Sequence, residues 1–110
     1  MYLEVRLANL LLAAGKASEG EKRLNDAVKQ MGALFPKHPY FADASESLGL
    51  LKQSAKAYSE AENHLRTALN IRKEVFPPDH PFVLRSTQEY AAIRKLIEQP
   101  HAQTSLPAPR

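Results

Sequence analysis

Four histidines and the Ser-x-x-Glu tetrads at 18–21 and 59–62 are the residues of this chain from which chemistry could be built, and cysteine is absent. Imidazole is the commonest metal ligand. His38 and His80, however, each precede a proline at matching places in the sequence, and no His-x3-His or His-Glu pair stands at ligand spacing. Turn and helix-cap roles are therefore expected of both, and no metal site. His64 falls between Asn63 and Leu65 in a helical pattern, with exposure or partial packing expected, and His101 belongs to the C-terminal segment. Ser18 with Glu21, and Ser59 with Glu62, could be mistaken for a nucleophile beside its base. The same spacing is that of a capping box, in which a serine and a glutamate satisfy amides at the start of a helix. Ser18 and Ser59 are accordingly expected as N-caps. A Gly-rich phosphate loop, a nucleophile elbow and a zinc-binding helix motif are all missing from the sequence. It implies neither an enzyme nor a cofactor.

The tetrads belong to a larger regularity. Residues 17–28, ASEGEKRLNDAV, align with residues 58–69, YSEAENHLRTAL, under a shift of 41 positions. Under it Ser18, Glu19, Glu21, Leu24 and Ala27 meet Ser59, Glu60, Glu62, Leu65 and Ala68. Each block is followed by a related turn, FPKHP at 35–39 and FPPDHP at 76–81. Such self-similarity marks a repeat architecture.

Helical spacing then supplies the elements. Leu24, Ala27, Val28, Met31 and Leu34 fall on one helix face, and so do Leu65, Ala68, Leu69 and Phe76, with Arg72 as a polar exception in that stripe. Phe35-Pro36 and Phe76-Pro77 end these helices, because proline disfavours the helical conformation of the residue before it. Pro39 and Pro81 suit the first position of the helices that follow. Further helices are expected over Tyr2 to Ala14 (Leu3, Leu7, Leu10, Leu11), Tyr40 to Gln53 (Phe41, Ala44, Leu48, Leu51) and Phe82 to Glu98 (Val83, Thr87, Tyr90, Ile93, Ile97). The expectation is an all-α chain of about five helices. A repeat domain spans 1–99, divided into 1–38, 39–80 and a closing helix at 81–99. The proline-bearing residues 100–110 are expected to be disordered.

Charge and hydropathy narrow the partners. Fifteen Lys and Arg against twelve Asp and Glu leave a net charge of +3 without basic runs, which gives nucleic-acid binding little support. No segment reaches the roughly 20 apolar residues of a membrane span, and the start is interrupted by Glu4, Arg6 and Asn9, unlike a signal peptide. Without cysteine, a cytoplasmic location is the expectation.

In its placing of large and small residues the pattern resembles the tetratricopeptide repeat. Leu48-Gly49, Ala61, Leu65 and Ala68 occupy the signature places of the second copy, Leu7-Ala8, Gly20, Leu24 and Ala27 those of the first, and Tyr90-Ala91 begin a third. The unit of 41 to 42 residues exceeds the usual length of about 34. With IRKEVFPPDHPFV at 71–83 it is similar to the variant found in kinesin light chain. The resemblance implies antiparallel helix pairs stacked in a right-handed superhelix, whose A helices line a concave groove for a peptide or protein. Carried over position by position, the groove-facing residues are Val5, Asn9 and Leu12, then Asp43, Glu46, Leu50 and Gln53, then Arg85, Gln88, Ala92 and Lys95. Asn9, Gln53 and Gln88 would bond a ligand backbone, Leu12 and Leu50 give apolar contact, and Arg85 and Lys95 attract acidic groups. The carboxylate clamp of chaperone adaptors is not expected, since Val5 and Glu46 replace its basic or amide residues. Nor is kinesin-type cargo recognition, since Arg6, Ser47 and Glu89 stand where that family carries Asn. The competing expectation is structural, with the chain packed on further repeats or on a second copy of itself.

Overall fold

The computed structural model describes residues 15–98. It is all-helical, with four helices among the described residues: α1 (Ala17–Leu34), α2 (Pro39–Ser54), α3 (Tyr58–Val75) and α4 (Pro81–Glu98). Each packs on its sequential neighbour. The expected helix at Tyr2 to Ala14 and the expected disordered segment 100–110 lie outside the described residues.

The breaks fall where proline dictates. Phe35 and Phe76 are the C-caps of α1 and α3, and their amides bond back to the carbonyls of Met31 and Arg72. Pro39 opens α2 and Pro81 opens α4. The amides of Tyr40 and Phe82 donate to the imidazole Nδ1 of His38 and His80 at 3.1 and 3.0 Å. Both histidines therefore cap the helices they precede, as their Pro-linked positions led us to expect. His80 also stacks on Phe76, ring centroids 4.3 Å apart, which fixes the angle of the turn.

The turn from α2 to α3 is closed by a Schellman arrangement. Ala57 N–H bonds Lys52 C=O and Lys56 N–H bonds Gln53 C=O, while Lys56 adopts φ 65°. In the preceding turn the residue 41 positions earlier, Gly15, has φ 85°. Both positions take a positive φ, but only Gly15 is the residue type suited to it.

The capping boxes are a correction. Helices α1 and α3 begin one residue before Ser18 and Ser59, because the amides of Gly20 and Ala61 already bond the carbonyls of Lys16 and Ala57. The cap positions are Lys16 and Ala57, without side-chain cap bonds. The glutamates are drawn elsewhere. Glu21 accepts from Lys52 at 2.9 Å, and Glu62 accepts from Arg94 and from the Tyr90 hydroxyl, both at 3.1 Å. Lys52 and Arg94 are 42 positions apart. A cation on α2 thus ties back to α1, and one on α4 ties back to α3.

Apolar packing follows the same period. Leu24, Ala27 and Met31 of α1 meet Ala44 and Leu48 of α2. Ala42 of α2 meets Ala68 and Ile71 of α3, and Ala61 and Leu65 of α3 meet Ile93 of α4. Small residues set the spacing: a Cβ on Gly49 would come within 2.8 Å of Leu65 Cγ and Cδ2. Leu34 was expected on the buried face of α1, but the helix ends there and leaves it 62% exposed. Thr87, expected on the inward face of α4, is exposed as well.

Candidate functional site

Two stripes on α2 and α4 carry the residues expected to face a ligand. Asp43, Glu46, Leu50 and Gln53 recur along α2 at helical spacing, and Arg85, Gln88, Ala92 and Lys95 stand 42 positions later on α4. Leu50, Arg85, Gln88, Ala92 and Lys95 are exposed, whereas Asp43, Glu46 and Gln53 are half-buried. Val5, Asn9 and Leu12 lie outside the described residues. The stripes are joined at one end. Arg85 Nε donates to Glu46 Oε2 at 2.9 Å and its Nη2 to Oε1 at 3.2 Å, a two-pronged contact that brings α2 and α4 together across α3.

Beneath this link lies Arg72 of α3, the polar exception in the apolar stripe. Its side chain is 1% exposed. Nη1 donates to Ser86 Oγ at 2.8 Å, and Nη2 donates to Asp43 Oδ1 at 2.8 Å and Glu46 Oε1 at 3.2 Å. One guanidinium therefore joins α2, α3 and α4. The guanidinium carbon lies over the Phe82 ring, 5.3 Å from its centroid, and that of Arg85 lies 5.2 Å from the same centroid.

Protonation follows from these contacts. Burial raises the Glu46 carboxyl, but hydrogen bonds with Arg72 and Glu89 and the charges of Arg72 and Arg85 outweigh it, so the carboxyl stays below its usual range. Glu89 goes the other way: burial first, then its hydrogen bond with Glu46, push it up to about 8. Burial opposes the charge of Arg72, yet the hydrogen bonds with Glu46 and Asp43 raise it above its ordinary value.

Arg72 was legible as an anomaly, because a lone charge inside an apolar stripe needs a partner. Ser86 and Glu89 gave no such signal, since each lies on a helix face where polar residues are ordinary. Among the described residues no group of three His, Cys, Asp or Glu side chains could hold a metal ion, and no helix is long and apolar enough to cross a membrane. His64 is half-buried, and desolvation lowers its pKa, with Lys52 adding to the effect.

A family model described as tetratricopeptide repeat matches residues 1–74. The chain belongs to the tetratricopeptide repeat family. A search of curated proteins finds no match to it. Tetratricopeptide repeats mediate protein–protein interaction, and the family is one of non-catalytic scaffolds. The matched span takes in α1, α2 and nearly all of α3; α4 follows it and packs on α3 as α2 packs on α1.

Proposed function

We infer that this tetratricopeptide repeat protein binds an extended or helical peptide of a partner protein along the face formed by the A helices. The domain is read as repeats at 1–38 and 39–80 with a closing helix at 81–99. Asn9, Leu12, Glu46, Leu50, Gln53, Arg85, Gln88 and Lys95 are assigned to contact the ligand. The observation that carries the reading is the pair of stripes 42 positions apart, exposed all along α4 and at Leu50 on α2, and joined at the Glu46–Arg85 end. Amide groups among them suit a peptide backbone, Leu50 offers apolar contact, and Lys95 offers a cation to an acidic side chain. Since Arg85 is already committed to Glu46, an acidic ligand at that end competes with Glu46 for it.

The test is to capture partners from lysate with the full chain, identify them, and measure affinity for each with Asn9, Gln53 and Arg85 changed together to alanine. The expected result is a loss of at least about tenfold, or 1.4 kcal/mol. Unchanged capture by the triple variant places the ligand on another surface.

One observation favours a structural reading instead. Ala42, Ser45 and Gly49 of α2 are buried against α3, yet the residues 42 positions on, Leu84, Thr87 and Ala91 of α4, are exposed. Leu84 is exposed to 51%. That face of α4 has the shape of one that receives another helix, from a further repeat or a second copy. Sedimentation at several concentrations discriminates: a monomer at every concentration removes self-association, and a concentration-dependent mass supports it.

A further inference from the structure

Five ionisable side chains meet where α4 crosses the preceding repeat. Asp43 and Glu46 come from α2, Arg72 from α3, and Arg85 and Glu89 from α4. Three carboxyl groups thus face two guanidiniums. The hydrogen bonds of Arg72 and Arg85 run to Ser86, Asp43 and Glu46. Arg72 Nε is buried without a partner and does not bond Glu89. Glu89 Oε1 is shut off from solvent and receives no hydrogen bond from any donor of the protein, although its carboxyl lies within hydrogen-bonding reach of the Glu46 carboxyl. Two carboxylate oxygens do not hold such a contact where burial weakens solvent screening, because like charges repel strongly there. A proton between them converts the repulsion into a short, charge-assisted hydrogen bond. It also brings the cluster to neutrality, with Asp43 and Glu46 matched by Arg72 and Arg85.

We propose that Glu89 and Glu46 share one proton, and that this proton is a latch that holds α4 on the preceding repeat and releases it as the pH rises. The inference is independent of what the A-helix face binds. Glu46 keeps its charge because two arginines bond it, so the proton resides on Glu89 and Glu46 accepts it. Placing Glu89 at about 8 in the folded chain, against its ordinary 4.5, agrees with this geometry. The direction of the effect follows: between these two values the folded chain holds a proton that the unfolded chain has lost. Docking of α4 is therefore firmest below that window, weakens as pH rises through it, and reaches its floor once Glu89 is charged.

Amide hydrogen exchange on the full chain, with rates corrected for their intrinsic pH dependence, reads the latch helix by helix. In the wild type, protection of α4 amides is expected to fall at least about tenfold between pH 5.5 and pH 8.5, one pKa unit being worth tenfold. The Glu89→Gln variant donates the same hydrogen bond at every pH, so its α4 protection should stay level across that range. The substitution leaves every other ionisable residue in place, so the difference between the two proteins isolates Glu89. Equal pH dependence in wild type and variant, or none in the wild type, overturns the proposal. Should the variant not fold, the carboxyl carbon chemical shift of wild-type Glu89 decides. A midpoint near 8 supports the latch, and one near 4.5 overturns it.

Discussion

Replacing Arg72 with methionine removes the group on which three helices converge while keeping much of its volume. Taking one partner out of a buried ion pair typically costs about 3 to 5 kcal/mol. Three features of this site adjust that figure. Glu46 retains Arg85 after the change, and Asp43 is one-third exposed and can hydrate, so neither carboxylate is fully stranded. Arg72 Nε is itself buried without a hydrogen-bond partner, so its removal relieves a penalty of roughly 1 kcal/mol. Against these stands the lost contact with the Phe82 ring, about 0.5 to 1 kcal/mol. The expected net loss is about 2 to 4 kcal/mol. With an unfolding entropy of about 2.1 cal/mol/K per residue, the Tm should drop by about 9 to 17 °C, read by circular dichroism on the full chain. Adding Glu46→Gln to Arg72→Met should cost at least about 1 kcal/mol less than the two single changes together, because the second change removes a charge that the first left under-paired. A Tm drop below about 4 °C for Arg72→Met, or strict additivity in the double variant, refutes the view that this guanidinium fastens α2, α3 and α4. Arg72→Lys should recover only part of the loss. An ammonium on a single stem cannot reach Ser86, Asp43 and Glu46 in the fork geometry.

Other predictions concern the backbone. Gly49→Ala places a Cβ 2.8 Å from two atoms of Leu65, a side chain only 1% exposed with no room to swing away. It should destabilise by about 1 to 3 kcal/mol in denaturant unfolding, with α2 and α3 forced apart. Lys56→Gly should stabilise by about 0.5 to 1 kcal/mol, because φ 65° suits glycine and the matching turn already has Gly15 there. A higher midpoint in urea with an unchanged slope is the expected readout.

How much of this was legible in the chain depends on the range of the interaction. Helix boundaries, the histidine caps and the apolar meshing of Leu24, Leu48 and Leu65 with small residues arise from local rules repeated at a fixed interval. Proline geometry and periodicity of 3.6 act within a few residues of one another, so one strand of sequence contains them. The Ser-x-x-Glu tetrads show where that reasoning fails. The motif is that of a cap, yet Glu21 and Glu62 reach across to Lys52 and to Arg94 and Tyr90, because a cation on the neighbouring helix offers a stronger partner than a backbone amide.

The sequence by itself determined an all-helical repeat of the tetratricopeptide kind, its turns, and the stripes that α2 and α4 present. Only the tertiary structure decided that Asp43, Glu46, Arg72, Arg85, Ser86 and Glu89 form one cluster, and that Arg85 is engaged within the chain. The reason is physical. Those residues lie up to 46 positions apart on three helices, and each of them except Arg72 taken singly satisfies the local pattern of an exposed polar site. Their charges acquire consequence only when stacking removes the water between them.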